Sequence, residues 1–376
     1  MTTETNEATV TFTLPLVDTW AGEHYDIAEQ AVRGVSDPLA EAALFDIEAP
    51  PPVSLADKFG VPPMSVLDRR SGEWQDRRRK WLSMGIKSEL GRADDLLYAS
   101  EQIRDFDYYR RKNGKRGPAA VGVTAPDRDD FLARLLRGEV EGSSIGSLNG
   151  GGVSIFDPVL CELAYRWHTL PGDRVLDPFA GGSVRGIVAS TLARWYVGVD
   201  LRPEQIEANQ AQAHLGSDIA PRWIVGDSTD LHAHLDPSDE FDLVFSCPPY
   251  ADLEVYSDDP RDLSAMTYED FTTAHGEIIR QSTARLRPDR FAAWVISDVR
   301  DKRGAYRGLV ADTIRAFESA GLTFHNDAVL LDQVGTAAVR AERPFRATRK
   351  LARVHQHLLI FVKGDAKRAA SRLEGL

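Results

Sequence analysis

The sequence predicts an α/β fold with a largely parallel sheet, and three observations carry that prediction. From residue 153 onward, short β-branched or apolar runs alternate with helical segments, which is typical of a parallel sheet covered by helices. A glycine-rich turn follows the first of these runs. Acidic or proline-rich segments follow several later ones, where sheets of this kind bind their ligands.

Seven strands are predicted in this part of the chain. They are 174–177, 196–200, 223–226, 241–246, 291–297, 329–331 and 358–362. A helix follows the first strand, and a second begins at Pro203, a residue favoured in a first helical turn. Two more helices are predicted near 265–286 and 308–320. The alternation therefore places most strand ends, and the motifs that follow them, at one edge of the sheet.

The chain divides by composition into three predicted regions. Residues 1–52 form an acidic segment that ends in three prolines, and residues 53–142 form a helical basic region that is a candidate for DNA recognition. A glycine- and serine-rich hinge then opens the α/β domain, 143–376. The net charge is −9 over residues 1–60 and +6 over residues 69–116.

Composition excludes several classes of protein. The 376 residues contain only two cysteines, so a disulfide framework and a four-cysteine zinc site are excluded. No apolar run reaches the roughly 18 residues of a membrane span, and the start of the chain does not resemble a secretory signal. His355 and His357 have no third ligand, so no metal is predicted. The expected compartment is the reducing cytoplasm.

Two basic runs predict a nucleic-acid partner although the net charge is −12, because a polyanion responds to local charge more than to the total. A solvated face is the alternative for each run, and a small helical core is the alternative for Trp74, Arg77, Arg78 and Trp81. The candidate DNA-binding residues are Trp74, Arg77, Arg78, Arg346, Arg349 and Lys350.

The glycine-rich turn predicts a nucleoside-shaped ligand. In VLDPFAGGSVRG, Gly181 and Gly182 allow a sharp turn and close approach of the backbone, and the next helix presents free N–H groups. Asp177 lies at the strand tip. Asp200, 23 residues further on, is placed to accept ribose hydroxyls, and Asp227 is suited to an adenine amino group. The G-x-G-x-x-G spacing of dinucleotide sites is absent.

The loop after the fourth strand predicts chemistry on an amino group. It consists of Cys247, Pro248, Pro249 and Tyr250, and its two prolines end the strand and make the loop rigid. The Cys247 and Pro248 carbonyls can accept hydrogen bonds from a planar amino group, which favours a pyramidal nitrogen able to attack a methyl sulfonium. Tyr250 can stack on a base drawn out of its helix.

The segments DPFAGG, GVD, GDS and CPPY, in this order, resemble the amino-methyltransferase family of DNA methylases. The resemblance covers about 153–363 and implies a Rossmann-like class I methyltransferase fold with seven strands, the last antiparallel. It also implies S-adenosyl-L-methionine as cofactor, duplex DNA as substrate and a restriction-modification setting, although no companion nuclease can be identified. The segment 59–81 resembles the N-terminal region of phage and mobile-element methylases.

The same resemblance implies a set of site residues. SIFDPVLCELAYRW resembles an additional cofactor-binding segment of the family and implies that Phe156 and Asp157 lie near the methionine end. The implied cofactor-binding residues are Phe156, Asp157, Asp177, Pro178, Phe179, Ala180, Gly181, Gly182, Asp200, Asp227 and Ser228.

One departure leaves the target base open. Family members carry Asp, Asn or Ser where this chain has Cys247, and a thiol is a weak acceptor. Its size slightly favours the serine type, hence cytosine N4 over adenine N6. A covalent role for Cys247 at cytosine C5 is disfavoured because such enzymes place the cysteine after a single proline. Other open functions are an RNA base methyltransferase and a catalytically silent nucleic-acid-binding protein; the glycine spacing disfavours a nicotinamide oxidoreductase.

Overall fold

The structure is a computed structural model that describes residues 55–88, 90, 156–253, 256–257, 259–332, 334 and 337–374. The chain divides into two compact units, 1–63 and 64–376, and the described part of the first contains the helix α1 (Leu55–Phe59). The predicted acidic segment and the glycine-rich hinge lie outside the described residues, and the three predicted regions stay a prediction.

The second unit is built on one eight-stranded mixed sheet. Its strands are β1 (Val66–Asp68), β2 (Arg174–Asp177), β3 (Trp195–Asp200), β4 (Arg222–Val225), β5 (Phe241–Ser246), β6 (Leu286–Ile296), β7 (Thr323–Leu331) and β8 (His355–Lys363). Their order is β1-β7-β8-β6-β5-β2-β3-β4. Every pair is parallel except those of β8, which runs antiparallel to β6 and β7.

This topology confirms the Rossmann-like class I methyltransferase fold, including the antiparallel last strand. All seven predicted strands are present, and four of them are longer than predicted. β1 is an eighth strand that the sequence analysis missed. It has three residues and pairs with β7 at the sheet edge, and so short a run gives little periodicity to detect.

The helices of the second unit follow the predicted alternation. They are α2 (Gly72–Ser83), α3 (Pro158–His168), α4 (Val184–Thr191), α5 (Pro203–Ala211), α6 (Leu231–His234), α7 (Tyr268–Ala284), α8 (Leu309–Ser319), α9 (Ala337–Thr348) and α10 (Ala366–Ser371). No helix was predicted between the strands 329–331 and 358–362, but the structure places α9 there. Pro344 lies inside this helix, and an internal proline normally predicts a break.

The direction of strand order reverses between β2 and β5. From β2 the chain proceeds outward through β3 and β4, whereas β5 and β6 lie on its other side. Such a switch point opens a crevice at the carboxyl ends of the strands. Behind it, the buried Trp294 of β6 packs edge-to-face on Phe179 with 5.9 Å between ring centroids. The hydrophobic core therefore supports the glycine-rich turn directly.

Candidate active site

A cavity of about 290 Å³ opens at the switch point. It brings together the two motifs that the sequence singled out, although about 70 residues separate them. The predicted site residues that line it are Phe156, Asp157, Pro178, Phe179, Gly181, Gly182, Asp200, Asp227, Ser228, Cys247, Pro248, Pro249 and Tyr250. Contact between these residues and a ligand stays a prediction.

Asp177, predicted to bind the cofactor, has a structural position instead. Its side chain is fully buried and accepts hydrogen bonds from four donors. They are the Phe179 N–H at 3.1 Å, Ser246 Oγ at 2.5 Å, Arg185 Nε at 2.5 Å and Tyr196 Oη at 2.6 Å. Asp177 thus ties the glycine-rich turn to β3, α4 and the end of β5 from below. Ala180 is likewise buried and does not line the cavity.

Arg185 is a site residue that the sequence analysis missed. It lies in the first turn of α4, 4% exposed, where it lines the cavity and donates from Nη2 to the carbonyl groups of Phe179 and Ala180. Burial alone would lower the pKa of Arg185, but the adjoining Asp177 carboxylate raises it above the ordinary value. A permanent positive charge therefore lies beneath the turn, with the Phe156 ring 4.5 Å from the guanidinium carbon.

The backbone of the turn is fixed by Asp200 at the end of β3. Gly181 has a φ of +49°, and its N–H donates to Asp200 Oδ2 at 2.8 Å. Asp200 Oδ1 accepts from the Arg202 N–H at 3.0 Å. Burial raises the pKa of Asp200, partly offset by these two N–H donors. Each carboxylate oxygen keeps a second lone pair, so Asp200 can still accept from a ligand.

A serine from the N-terminal part of the unit covers Gly182. A Cβ built on Gly182 would lie 1.9 Å from Ser88 Oγ and 2.6 Å from the Ser88 carbonyl oxygen. Ser88 is 2% exposed and lines the cavity, and its hydroxyl has no hydrogen-bond partner within the described residues. Gln212 holds the segment in place by bonding both the N–H and the carbonyl of Lys87, at 2.7 and 2.9 Å. Nothing local in the sequence marks Ser88.

The third acidic position, Asp227, follows β4. Its Oδ1 accepts from the N–H and hydroxyl of Thr229 at 2.8 and 2.7 Å, so Thr229 occupies one carboxylate oxygen only. The hydroxyl of Ser228 donates to the Pro178 carbonyl at 2.6 Å. Ser228 therefore links this loop to the glycine-rich turn, while Asp227 has acceptor capacity left for a ligand.

The Cys-Pro-Pro-Tyr loop begins directly after β5, whose last paired residue is Ser246. The Cys247 and Pro248 carbonyl groups therefore lie beyond the sheet hydrogen bonds. Tyr250 Oη lies 3.5 Å from Cys247 Sγ and donates to Gln356 Oε1 at 2.8 Å. Burial raises the pKa of the Tyr250 phenol well above its usual range, so the phenol stays protonated and keeps this bond.

The two groups of predicted DNA-binding residues have different surroundings. Trp74 is buried and its indole N–H donates to Asp157 at 3.0 Å, while Arg77 pairs with the buried Glu162 at 3.3 Å. These structural roles keep both side chains from the surface contact predicted for them, and Arg78 is half-buried. The residues on and after α9 are exposed: Arg346, Arg349 and Lys350. α9 follows the carboxyl end of β7, which lies at the same sheet edge as the cavity.

Two further observations concern the described residues alone. No group of three or more His, Cys, Asp or Glu side chains among them could hold a metal ion. No helix in the described part of the chain has the length and apolar character needed to cross a membrane.

Comparison with known proteins finds one curated relative over a short segment. The Type II methyltransferase M.XycI of Xanthomonas campestris pv. cyanopsidis is 40% identical over 57 residues, which are 15% of this chain and 19% of that protein. The match thus spans about a fifth of the relative's length. It confirms the resemblance to DNA methylases within the shared segment. No protein-family model matches the chain.

Comparison with solved structures finds chains that share part of this fold at low sequence identity. TrmN from Thermus thermophilus is 19% identical, with 55% of this chain and 49% of that chain covered and a TM-score of 0.37. A methyltransferase from Pyrococcus furiosus is 15% identical, with 63% and 100% covered and a TM-score of 0.36.

Proposed function

We propose that the chain binds S-adenosyl-L-methionine and transfers its methyl group to an exocyclic amino group of a flipped base in duplex DNA. The observation that carries this proposal is the single cavity shared by the glycine-rich turn and the Cys-Pro-Pro-Tyr loop. A nucleoside-binding turn and an amino-binding loop that open into the same space favour a reaction between their two ligands.

The residues around the cavity fit this cofactor. Its volume of about 290 Å³ is close to the lower end of small-molecule sites, about 300–1,000 Å³. Asp200 and Asp227 have acceptor capacity for a ribose and an adenine amino group, and the unpaired Ser88 hydroxyl faces the same space. We place the methionine end near Phe156 and Asp157. When bound, the cofactor supplies an electrophilic methyl group on a sulfonium.

The protein's own groups would hold the target nitrogen. The Cys247 and Pro248 carbonyls would accept the two N–H bonds of the amino group, while the Tyr250 ring stacks on the base. Because Cys247 is closest in size to serine, we favour cytosine N4 slightly over adenine N6. Arg346, Arg349 and Lys350 would contact phosphates outside the pocket. We further propose a cytoplasmic enzyme of a restriction-modification system.

Nucleoside mass spectrometry tests the reaction. Purified protein is incubated with labelled S-adenosyl-L-methionine and either mixed-sequence duplex DNA or total RNA, and the nucleic acid is then digested. We expect N4-methylcytosine or N6-methyladenine in the DNA. Methyl groups in RNA alone would replace the DNA proposal with an RNA one. Binding of S-adenosylhomocysteine without any transfer would contradict the proposed activity.

Two glycine variants test the cofactor site, one as the probe and the other as its matched control. Gly182→Ala would force the Ser88 backbone to move, because the new Cβ would lie 2.6 Å from its carbonyl oxygen. Gly72→Ala meets nothing within 4 Å. We expect the first variant to lose most of its affinity for S-adenosylhomocysteine and the second to keep it. Tyr250→Ala should keep that affinity and lose transfer.

A further inference from the structure

Arg69 occupies a position that the proposed reaction leaves without a role. It is the first residue after β1, it lines the cavity, and its side chain is only 19% exposed. Its guanidinium bonds two carboxylates from distant parts of the chain. Nε donates to Asp157 Oδ2 at 3.0 Å and Nη1 donates to Asp332 Oδ1 at 2.5 Å. Arg69 therefore links Asp157, which lines the cavity, to Asp332, the residue that follows β7.

The Asp157 side of this bridge fixes the predicted cofactor segment. Asp157 Oδ1 accepts from the Val159 N–H at 2.9 Å and caps the start of α3. Its Oδ2 is shared by Arg69 and the Trp74 indole, each at 3.0 Å. The carboxylate is 3% exposed, and a buried carboxylate is costly without such donors. Arg69 thus helps to hold Asp157 and its neighbour Phe156 against the cavity.

The Asp332 side leads to the target-base loop. Gln356 Nε2 donates to the Asp332 carboxylate at 3.2 Å, and Gln356 Oε1 accepts from Tyr250 Oη at 2.8 Å. An amide has one donating and one accepting end. The carboxylate therefore dictates that the Gln356 oxygen points towards Tyr250.

Strand pairing explains why these residues meet. Asp68, the last residue of β1, pairs with Leu331 at the end of β7, so Arg69 and Asp332 follow adjacent strand ends. Gln356 lies at the start of the antiparallel β8, opposite Leu330. The edge strand β1, which was not predicted, therefore places Arg69 at the site.

Arginine is suited to this position in two ways. Its planar fork can bond two acceptors at once, whereas a lysine is a single point charge. Burial alone would lower the pKa of Arg69, but the Asp157 and Asp332 carboxylates raise it. The Arg69 guanidinium therefore keeps its positive charge.

We infer that Arg69 is a positioning residue that fixes both ends of the cavity, joining Asp157 at the cofactor end to Tyr250 at the target-base loop through Asp332 and Gln356. This inference rests on the proposed methyl transfer. The role of Arg69 is to orient α3 and the Tyr250 ring, and it needs no contact with the reacting atoms.

Three variants test the bridge, each measured for S-adenosylhomocysteine affinity by calorimetry and for turnover on DNA. Arg69→Gln should weaken the affinity by about 10-fold and lower turnover by about 10- to 100-fold, since small displacements of reacting groups are costly. Gln356→Met cuts the bridge beyond Asp332, so it should lower turnover by about 10-fold and leave the affinity unchanged. Arg70→Gln is the matched control, because the partially exposed Arg70 pairs with Asp68; it should change neither quantity.

Each outcome decides for or against the bridge. Arg69→Lys, which can keep one of the two bonds, should fall between Arg69→Gln and the wild type. If Arg69→Gln does not fold, Gln356→Met still tests the Tyr250 arm, and wild-type turnover in that variant overturns the inference. If the wild type transfers no methyl group to DNA, the proposed function fails. The S-adenosylhomocysteine affinities of the variants then decide whether the Arg69 bridge is supported. Weaker binding in Arg69→Gln than in Arg70→Gln supports the bridge, and equal binding overturns it.

Discussion

The two basic segments of this chain, α2 and α9, are alike in composition and opposite in surroundings. On α2, the indole N–H groups of Trp74 and Trp81 bond the buried carboxylates of Asp157 and Glu162, each at 3.0 Å. On α9, Phe345 is 43% exposed, and Arg346 pairs with the exposed Glu342 carboxylate of its own helix. What separates the two segments is the presence of buried acceptors opposite α2.

The buried partners of a basic helix decide whether its charges are available to a nucleic acid. Basic and aromatic residues on a helix predict a nucleic-acid-binding surface only if they have no buried partners inside the protein. Glu162 lies on α3, about 80 residues beyond α2 in the chain, and accepts from Arg77, Trp81 and Arg166. We therefore propose that α2 supports the part of the cavity wall that contains Asp157 and that α9 contacts the nucleic acid.

The largest expected effect separates the two segments by stability. Trp74→Ala should lower the free energy of unfolding by about 3–5 kcal/mol, the usual cost of truncating a buried aromatic side chain, and it also removes a donor from Asp157. Phe345→Ala on α9 should change it by less than about 0.5 kcal/mol, as exposed positions do. Urea unfolding monitored by circular dichroism measures both. Similar losses in the two variants would contradict the contrast between α2 and α9.

The parts of the site that sequence could predict are those encoded locally. The glycine turn, the three strand-end acids and the Cys-Pro-Pro-Tyr loop are each contiguous or follow a recognisable strand, so their meeting at one sheet edge follows from the fold class alone. The seven strands were predictable for the same reason, because each has its own apolar run.

The remaining parts depend on contacts between distant segments. Ser88 and Arg69 reach the cavity because residues 64–88 and Leu90 pack on the sheet and on α5, and no local pattern indicates that packing. Asp177 lies in the predicted motif, but four donors from the protein already bond its two carboxylate oxygens. The buried partners of Trp74 and Arg77 could not be predicted because they are far away in the sequence.

A smaller effect is expected from the charges on α9 and directly after it. Replacing Arg346 and Lys350 together by Gln should weaken DNA binding and make its salt dependence shallower, by about 0.9 in the log–log slope for each phosphate that is no longer neutralised. The unfolding free energy should stay unchanged, because both side chains are exposed. Titrations of a fluorescent duplex at several salt concentrations measure the slope. Arg79→Gln is the matched control on α2, because Arg79 is exposed and pairs with Asp76. An equally shallow slope in that variant would mean that α2 also contacts the DNA.

The smallest effect is expected from the ion pair between Glu342 and Arg346 on α9. Glu342 pairs with Arg346 at 2.8 Å, and both side chains are well exposed, at 68% and 78%. Exposed pairs of this kind are weak, so Glu342→Gln should leave stability unchanged while it frees Arg346 and removes a negative charge from the proposed phosphate surface. We expect DNA affinity to rise by about two- to threefold at low salt and the gain to vanish at high salt as charges are screened. Asp76→Asn releases Arg79 in the same way on α2 and should give no gain. A rise in both variants would mean that net charge alone attracts the DNA, and that α9 has no special place in its binding.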